Sequence, residues 1–114
     1  MTGASNYKDT SLGAAIDRLA GTIATRRTSP PETSYTAKLL SDGVERCAQK
    51  FGEEAVETVI AAAAGDAKSL TAEAADALYH LLVLLEASGV STSEVGEELS
   101  RRAGTSGLDE KASR

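Results

Sequence analysis

The sequence has 114 residues, 41% hydrophobic and only 4% aromatic, with a formal net charge of −5. Twenty Ala, one Phe and no Trp make poor material for a β-sandwich or barrel and good material for helices, at a length that suits one domain. The acidic balance argues against electrostatic capture of nucleic acid or of an anionic membrane, although a bound metal can still supply charge for a phosphorylated substrate.

A single cysteine, Cys47, excludes an intrachain disulfide and a Cys-based zinc site. Its simplest role is that of a small helix residue. The apolar runs are too short to span a bilayer and the N-terminus lacks a signal-peptide pattern, so a cytoplasmic protein is expected.

In chain order, "SLGAAIDRLAGTIATRR" places Leu12, Ile16, Leu19 and Ile23 on one stripe of an amphipathic helix. Arg26 and Arg27 fall in its last turn, where cations oppose the helix dipole. "TSPPET" breaks the chain. Thr33 or Ser34 then caps a short helix, "YTAKLL", that ends near Gly43.

A longer helix is expected from Val44 to Ala64, with Gly65 just past its end. Gly52 interrupts it, which points to a bend or a close backbone contact. The next helix is expected from Ser69 to Ala87, ending at Gly89. Ser91 and Glu94 form a capping-box pattern for a further helix ending near Arg102. Arg101 and Arg102 are explained there by the helix dipole. The tail "TSGLDEKASR" has no apolar periodicity and reads as a loop or as a segment ordered by a partner. Residues 1–10 read as a flexible tail in the same way.

The helix carrying Leu78, Leu81, Leu82, Val83, Leu84 and Leu85 is apolar almost all round towards its end and needs cover on several sides. The run Ala61–Ala64 lets another backbone approach closely. A bundle of four to five helices completed by homodimerisation is the economical solution.

Three acids raise the functional question. Glu54 and Glu57 are three residues apart and share a helix face, and Glu53 and Glu57 are neighbours four apart. Glu73 and Asp76, again three apart, lie on the next helix. The short "GDAKS" connection favours an antiparallel hairpin, and a rise of about 1.5 Å per residue puts both acid pairs at similar depth. Converging carboxylates would not all stay ionised without a cation, and oxygen ligands suit Mg²⁺ or Mn²⁺. The plain alternative is a solvated acidic surface, which is the usual meaning of one E-x-x-E pair. Spacing alone leaves both readings open.

The pattern "SYTAKLL…G..R..QKFGEEAVETVIAA..GD…L..EAADALYHLLVLL" resembles the phosphoribosyl-ATP pyrophosphatase family, and the likeness extends through "SGLDEKASR". The E-x-x-E…E-x-x-D skeleton by itself is shared more widely, with MazG-like and dimeric dUTPase-like all-α nucleotide pyrophosphatases. The resemblance implies a single Mg²⁺-dependent domain over 1–114 that hydrolyses phosphoribosyl-ATP to phosphoribosyl-AMP and pyrophosphate in histidine biosynthesis.

By position, the resemblance implies Glu54, Glu57, Glu73 and Asp76 as metal ligands, with Glu53, Glu54 and Glu57 as the catalytic acids. Glu53 is then the acid that assists the metal or orients water. Lys38, Arg46 and Lys50 are implied to meet phosphate oxygens, as are Lys111 and Arg114 if the tail folds over the substrate. His80, one turn beyond Asp76, reads as a satisfied core histidine or as a partner of a ligand carboxylate. Tyr35 and Tyr79 read as buried tyrosines or as faces for a base or ribose. Two other functions stay open: a house-cleaning (d)NTP pyrophosphatase, and a helical dimerisation module with no chemistry.

Overall fold

A computed structural model describes residues 8–114. Of the expected amino-terminal tail, residues 1–7 lie outside the described residues. The described chain is helical: α1 (Leu12–Thr25), α2 (Tyr35–Asp42), α3 (Val44–Ala63), α4 (Ala67–Ser88), α5 (Thr92–Arg102) and α6 (Gly107–Ser113), with a 3-10 turn over Arg26–Thr28. No strand occurs among the described residues. None of the helices is long and apolar enough to cross a membrane.

Local chemistry starts and stops these helices. The Ser11 hydroxyl accepts from the Ala14 amide at 3.4 Å to open α1, and Ser34, rather than Thr33, caps α2 through the Ala37 amide at 3.1 Å. Gly43 at φ 98° and ψ 174° turns α2 directly into α3 through backbone that side chains disfavour. The capping box of α5 is complete: Ser91 accepts from the Glu94 amide and Glu94 accepts from the Ser91 amide, both at 3.1 Å.

The α3–α4 connection is tight. Asp66 donates its amide to Ala61 O at 3.3 Å and Gly65 donates to Ala62 O at 3.1 Å, a Schellman closure with Gly65 at φ 73°. Asp66 also opens α4, accepting from the Ser69 amide at 3.0 Å and the Ser69 hydroxyl at 2.8 Å. The helix therefore starts at Ala67, two residues before the expected Ser69. An Asp immediately after a C-terminal glycine serves both helices at once, and apolar periodicity carries no trace of it.

α3 and α4 form the most extensively packed pair, with α1 against α4 and α2 against α3. The core holds Ile23, Leu39, Cys47, Leu82 and Val83. Cys47 donates its thiol to Leu39 O at 3.2 Å, and burial pushes that thiol's pKa up, so it packs as a protonated small residue. Arg27 reaches across to the side chain and main-chain carbonyl of Glu86. Arg26 and Arg27 thus lie past α1, in the 3-10 turn rather than in its last turn as expected, and Arg27 ties that turn to the end of α4.

Two expectations change. α3 runs unbroken through Gly52, and a Cβ there would meet nothing within 4 Å, so no close contact within the described chain calls for the glycine. The tail was expected to be a loop or partner-ordered. It contains α6, opened by the Ser106 hydroxyl accepting from the Asp109 amide at 3.1 Å. A seven-residue helix started by one cap has too few turns to show an apolar stripe. α5 and α6 pack only sparsely on the rest, and Leu108 is 82% exposed.

Candidate metal centre

The antiparallel α3–α4 pair sets acids against acids. Glu54 and Glu57 from α3 and Glu73 from α4 each place a carboxylate oxygen within 4.8 Å of the others. Thr58 holds the two helices in this register. Its hydroxyl lies 2.8 Å from Glu54 O, on its own helix, and 3.1 Å from Glu73 O, across the pair. One hydroxyl proton is thereby offered to the main chain of two of the three acids.

Glu57 sits at the centre of the group. Its hydrogen bond with Glu54 is the largest cause of the raised Glu54 pKa, followed by burial and by the charges of Glu57, Asp76 and Glu73. Glu73 is raised for the same first reason, its hydrogen bond with Glu57. The carboxyls of Glu54 and Glu73 therefore keep their protons to higher pH than a solvent-exposed acid does.

Glu54 Oε2 and Glu73 Oε2 are nevertheless buried without any hydrogen-bond partner. Buried carboxylate oxygens are ordinarily satisfied. Hard oxygen donors, close together, with two oxygens unpartnered, fit a small divalent cation. Asp76, on the same helix as Glu73, acts on both raised carboxyls through its charge but lies outside the 4.8 Å group.

Glu53 faces elsewhere. It accepts from Lys50 Nζ at 3.2 Å and from Gln49 Nε2 at 3.1 Å, and these bonds, Lys50 first, hold its carboxyl below the usual range. Lys50 is half-buried and its ammonium is favoured in turn by Glu53. Arg46 is exposed one turn earlier on α3, and Lys38 is exposed on α2 with Asp42 at 3.5 Å. Lys111 and Arg114 lie on and just after α6, which is not packed extensively on α3 or α4.

His80 is 6% exposed, and burial, then Lys50, lowers its pKa, so it is held neutral. Its Nδ1 has no partner, which departs from a satisfied core histidine. No carboxylate is hydrogen-bonded to it among the described residues. Its ring instead meets Tyr79 edge-on at 4.9 Å between centroids and Tyr35 at 6.1 Å. Thr58 escaped sequence reasoning. The available signal was a threonine four residues after Glu54, where a hydroxyl bonds back to the helix carbonyl.

Comparison with known proteins shows which family the chain resembles. Residues 16–103 match the family model described as phosphoribosyl-ATP pyrophosphohydrolase. A phosphoribosyl-ATP pyrophosphatase of Paracoccus denitrificans is 61% identical over 99 residues, covering 87% of this chain and 92% of the relative. Proteins of the same name from Dinoroseobacter shibae and Rhodobacter capsulatus are 59% and 58% identical, covering 87% and 88% of this chain and 97% of each relative.

The raised carboxyls have a measurable sign. A folded-state pKa above the unfolded value gives stability that is full below the ordinary carboxylate pKa of 4.5 and is lost as pH rises through the folded value. A cation that replaces the carboxyl protons removes that loss. His80, lowered, works the other way, losing stability as pH falls below its ordinary 6.5, but it does so with or without cation. The gain in Tm from saturating Mg²⁺ over EDTA, at matched ionic strength, should therefore grow from about pH 5 to about pH 7.5. A gain independent of pH would contradict a cation seated on these acids.

Proposed function

We propose a reaction from one premise: this chain belongs to the phosphoribosyl-ATP pyrophosphohydrolase family. The chain hydrolyses phosphoribosyl-ATP to phosphoribosyl-AMP and pyrophosphate, the second step of histidine biosynthesis, in the cytoplasm. One observation carries this to the chain's own residues. It is the Glu54–Glu57–Glu73 group with two buried oxygens left unpartnered.

Glu54, Glu57 and Glu73 would hold Mg²⁺, or Mn²⁺ in its place, with Asp76 adding charge from the next turn. When bound, such an ion neutralises phosphate charge and lowers the pKa of a coordinated water. The chain's residues supply position and proton transfer. Glu57 is the exposed member of the group, between two half-buried acids. From there it can orient the attacking water and accept its proton as the α–β anhydride breaks and the bridging oxygen leaves with pyrophosphate.

Glu53 takes a supporting part in this reading. Its bond to Lys50 keeps an ammonium beside the acids, where Lys50 and then Arg46 can meet phosphate oxygens. Lys38, Lys111 and Arg114 complete the basic set, the last two by way of a tail that reaches the phosphates only when α6 docks.

Homodimerisation belongs to the same proposal. Val56, Val59 and Ile60 on α3 are 58%, 67% and 61% exposed. A second apolar surface, a cavity of about 410 Å³ between α1, α4 and α5, is lined by Ile16, Leu78, Leu81, Leu82, Leu85 and Leu99. Apolar area on this scale in a small chain marks an interaction surface.

Two measurements test the proposal. With Mg²⁺ the protein should release pyrophosphate from phosphoribosyl-ATP in preference to any of a dNTP panel, and Glu57→Gln should lower kcat by about 10²–10⁴-fold. Preference for a dNTP would favour a house-cleaning enzyme; no release from any nucleotide would leave a non-catalytic module. Sedimentation should give a dimer that Ile60→Glu weakens, and a monomer at all concentrations would refute the shared core.

A further inference from the structure

The chain has three tyrosines, one Phe, no Trp and one histidine. Two of those tyrosines and the histidine meet at one place, where α2 crosses the α3–α4 pair. Tyr35 and Tyr79 lie 6.5 Å apart between centroids at 20° between planes, and the His80 ring stands nearly perpendicular to both. The order of burial is graded. His80 is buried, Tyr79 is half-buried with its hydroxyl bonded to that of Thr36, and Tyr35 is 54% exposed. The Ser34 cap fixes the backbone immediately before Tyr35.

Such an arrangement is costly as packing alone. It leaves His80 Nδ1 buried without a partner and a large aromatic side chain more than half exposed. It is well suited to stacking: an aromatic face backed by a second ring, on fixed backbone, surrenders little freedom when a planar group settles on it. α2, which carries Tyr35, packs on both α3 and α4, and on α3 the Lys50 ammonium bonds Glu53, the neighbour of Glu54, at 3.2 Å. Lys50, Glu54 and Glu57, spaced four and three apart, share one face of α3, the helix that α2 and α4 both pack against.

We propose that Tyr35, backed by Tyr79, is the platform on which the adenine base of the nucleotide stacks, while its phosphates extend past Lys50 towards Glu54, Glu57 and Glu73. This rests on the nucleotide reading above. Adenine is the aromatic part of phosphoribosyl-ATP, and base–aromatic stacking needs a π face rather than a specific set of hydrogen bonds. Tyr35 is in this account a binding residue, and its removal acts on affinity before turnover.

Without tryptophan, and with two of the three tyrosines in the shelf, tyrosine emission reports on it. Titration of the full chain with ATP in Mg²⁺ should change that emission saturably. Tyr35→Ala should raise Kd by roughly 5- to 100-fold, the effect of losing one base stack, and Tyr35→Leu, which keeps apolar bulk without a π face, should behave like it. Tyr35→Phe should restore binding to within about threefold, with circular dichroism showing all variants equally helical. Wild-type affinity in Tyr35→Ala or Tyr35→Leu would overturn the platform, as would the absence of saturable binding by the unaltered chain. The parallel pyrophosphate assay separates the two readings. Tyr35-dependent binding without pyrophosphate release removes the reaction and leaves the shelf. Release with binding indifferent to Tyr35 removes the shelf alone.

Discussion

The repulsion among Glu54, Glu57 and Glu73 is the constraint around which the rest of the molecule is arranged. Three carboxylate oxygens within 4.8 Å of one another are unfavourable in any chain that can let them separate. Here they are held by the most extensively packed helix pair in the structure. The Schellman closure at Gly65, the double use of Asp66 and the Thr58 hydroxyl between Glu54 O and Glu73 O fix where α4 starts and how deep its acids fall. The elements far from the acids serve this pair. α1 and α2 cover it, and Arg27 ties their end to Glu86.

The acidic group differs from ordinary surface acids in its environment. Glu53, one residue from Glu54, has Lys50 and Gln49 as partners and a lowered pKa. Glu54 has only other acids, a raised pKa and an orphaned oxygen. Adjacent residues on a helix point about 100° apart, so neighbours in sequence fall into opposite electrostatic settings. One becomes a counter-ion for a lysine and the other an acid set among acids.

Much of the fold was legible because it is built from local rules. Of the stripe, Ile16, Leu19 and Ile23 face the core while Leu12, in the first turn, is 62% exposed, and Ser34, Ser91 and Glu94 cap where their chemistry allows. The boundaries that moved did so for equally local but less visible reasons: Asp66 recruited α4 two residues early, and Ser106 started α6 in a tail with no apolar repeat. Within the site, spacing correctly opposed Glu54 and Glu57 to Glu73, since antiparallel helices with a short turn leave little choice of depth. It could not rank the acids. That Glu53 turns to Lys50, that Asp76 stands outside the tightest group, and that Tyr35, Tyr79 and His80 share one contact all depend on rotamers and helix crossings, which no periodicity encodes.

The central claim is that the carboxylates of α3 and α4 converge to hold a divalent cation. Anomalous diffraction from crystals grown with Mn²⁺ tests it most directly. The account predicts one dominant peak between α3 and α4, with oxygens of Glu54, Glu57 and Glu73 as direct ligands at about 2.0–2.2 Å, distances typical of small divalent ions on carboxylates, and with Glu53 still on Lys50. A Mn²⁺ peak elsewhere, or no peak with the three acids still hydrogen-bonded to one another, would contradict it.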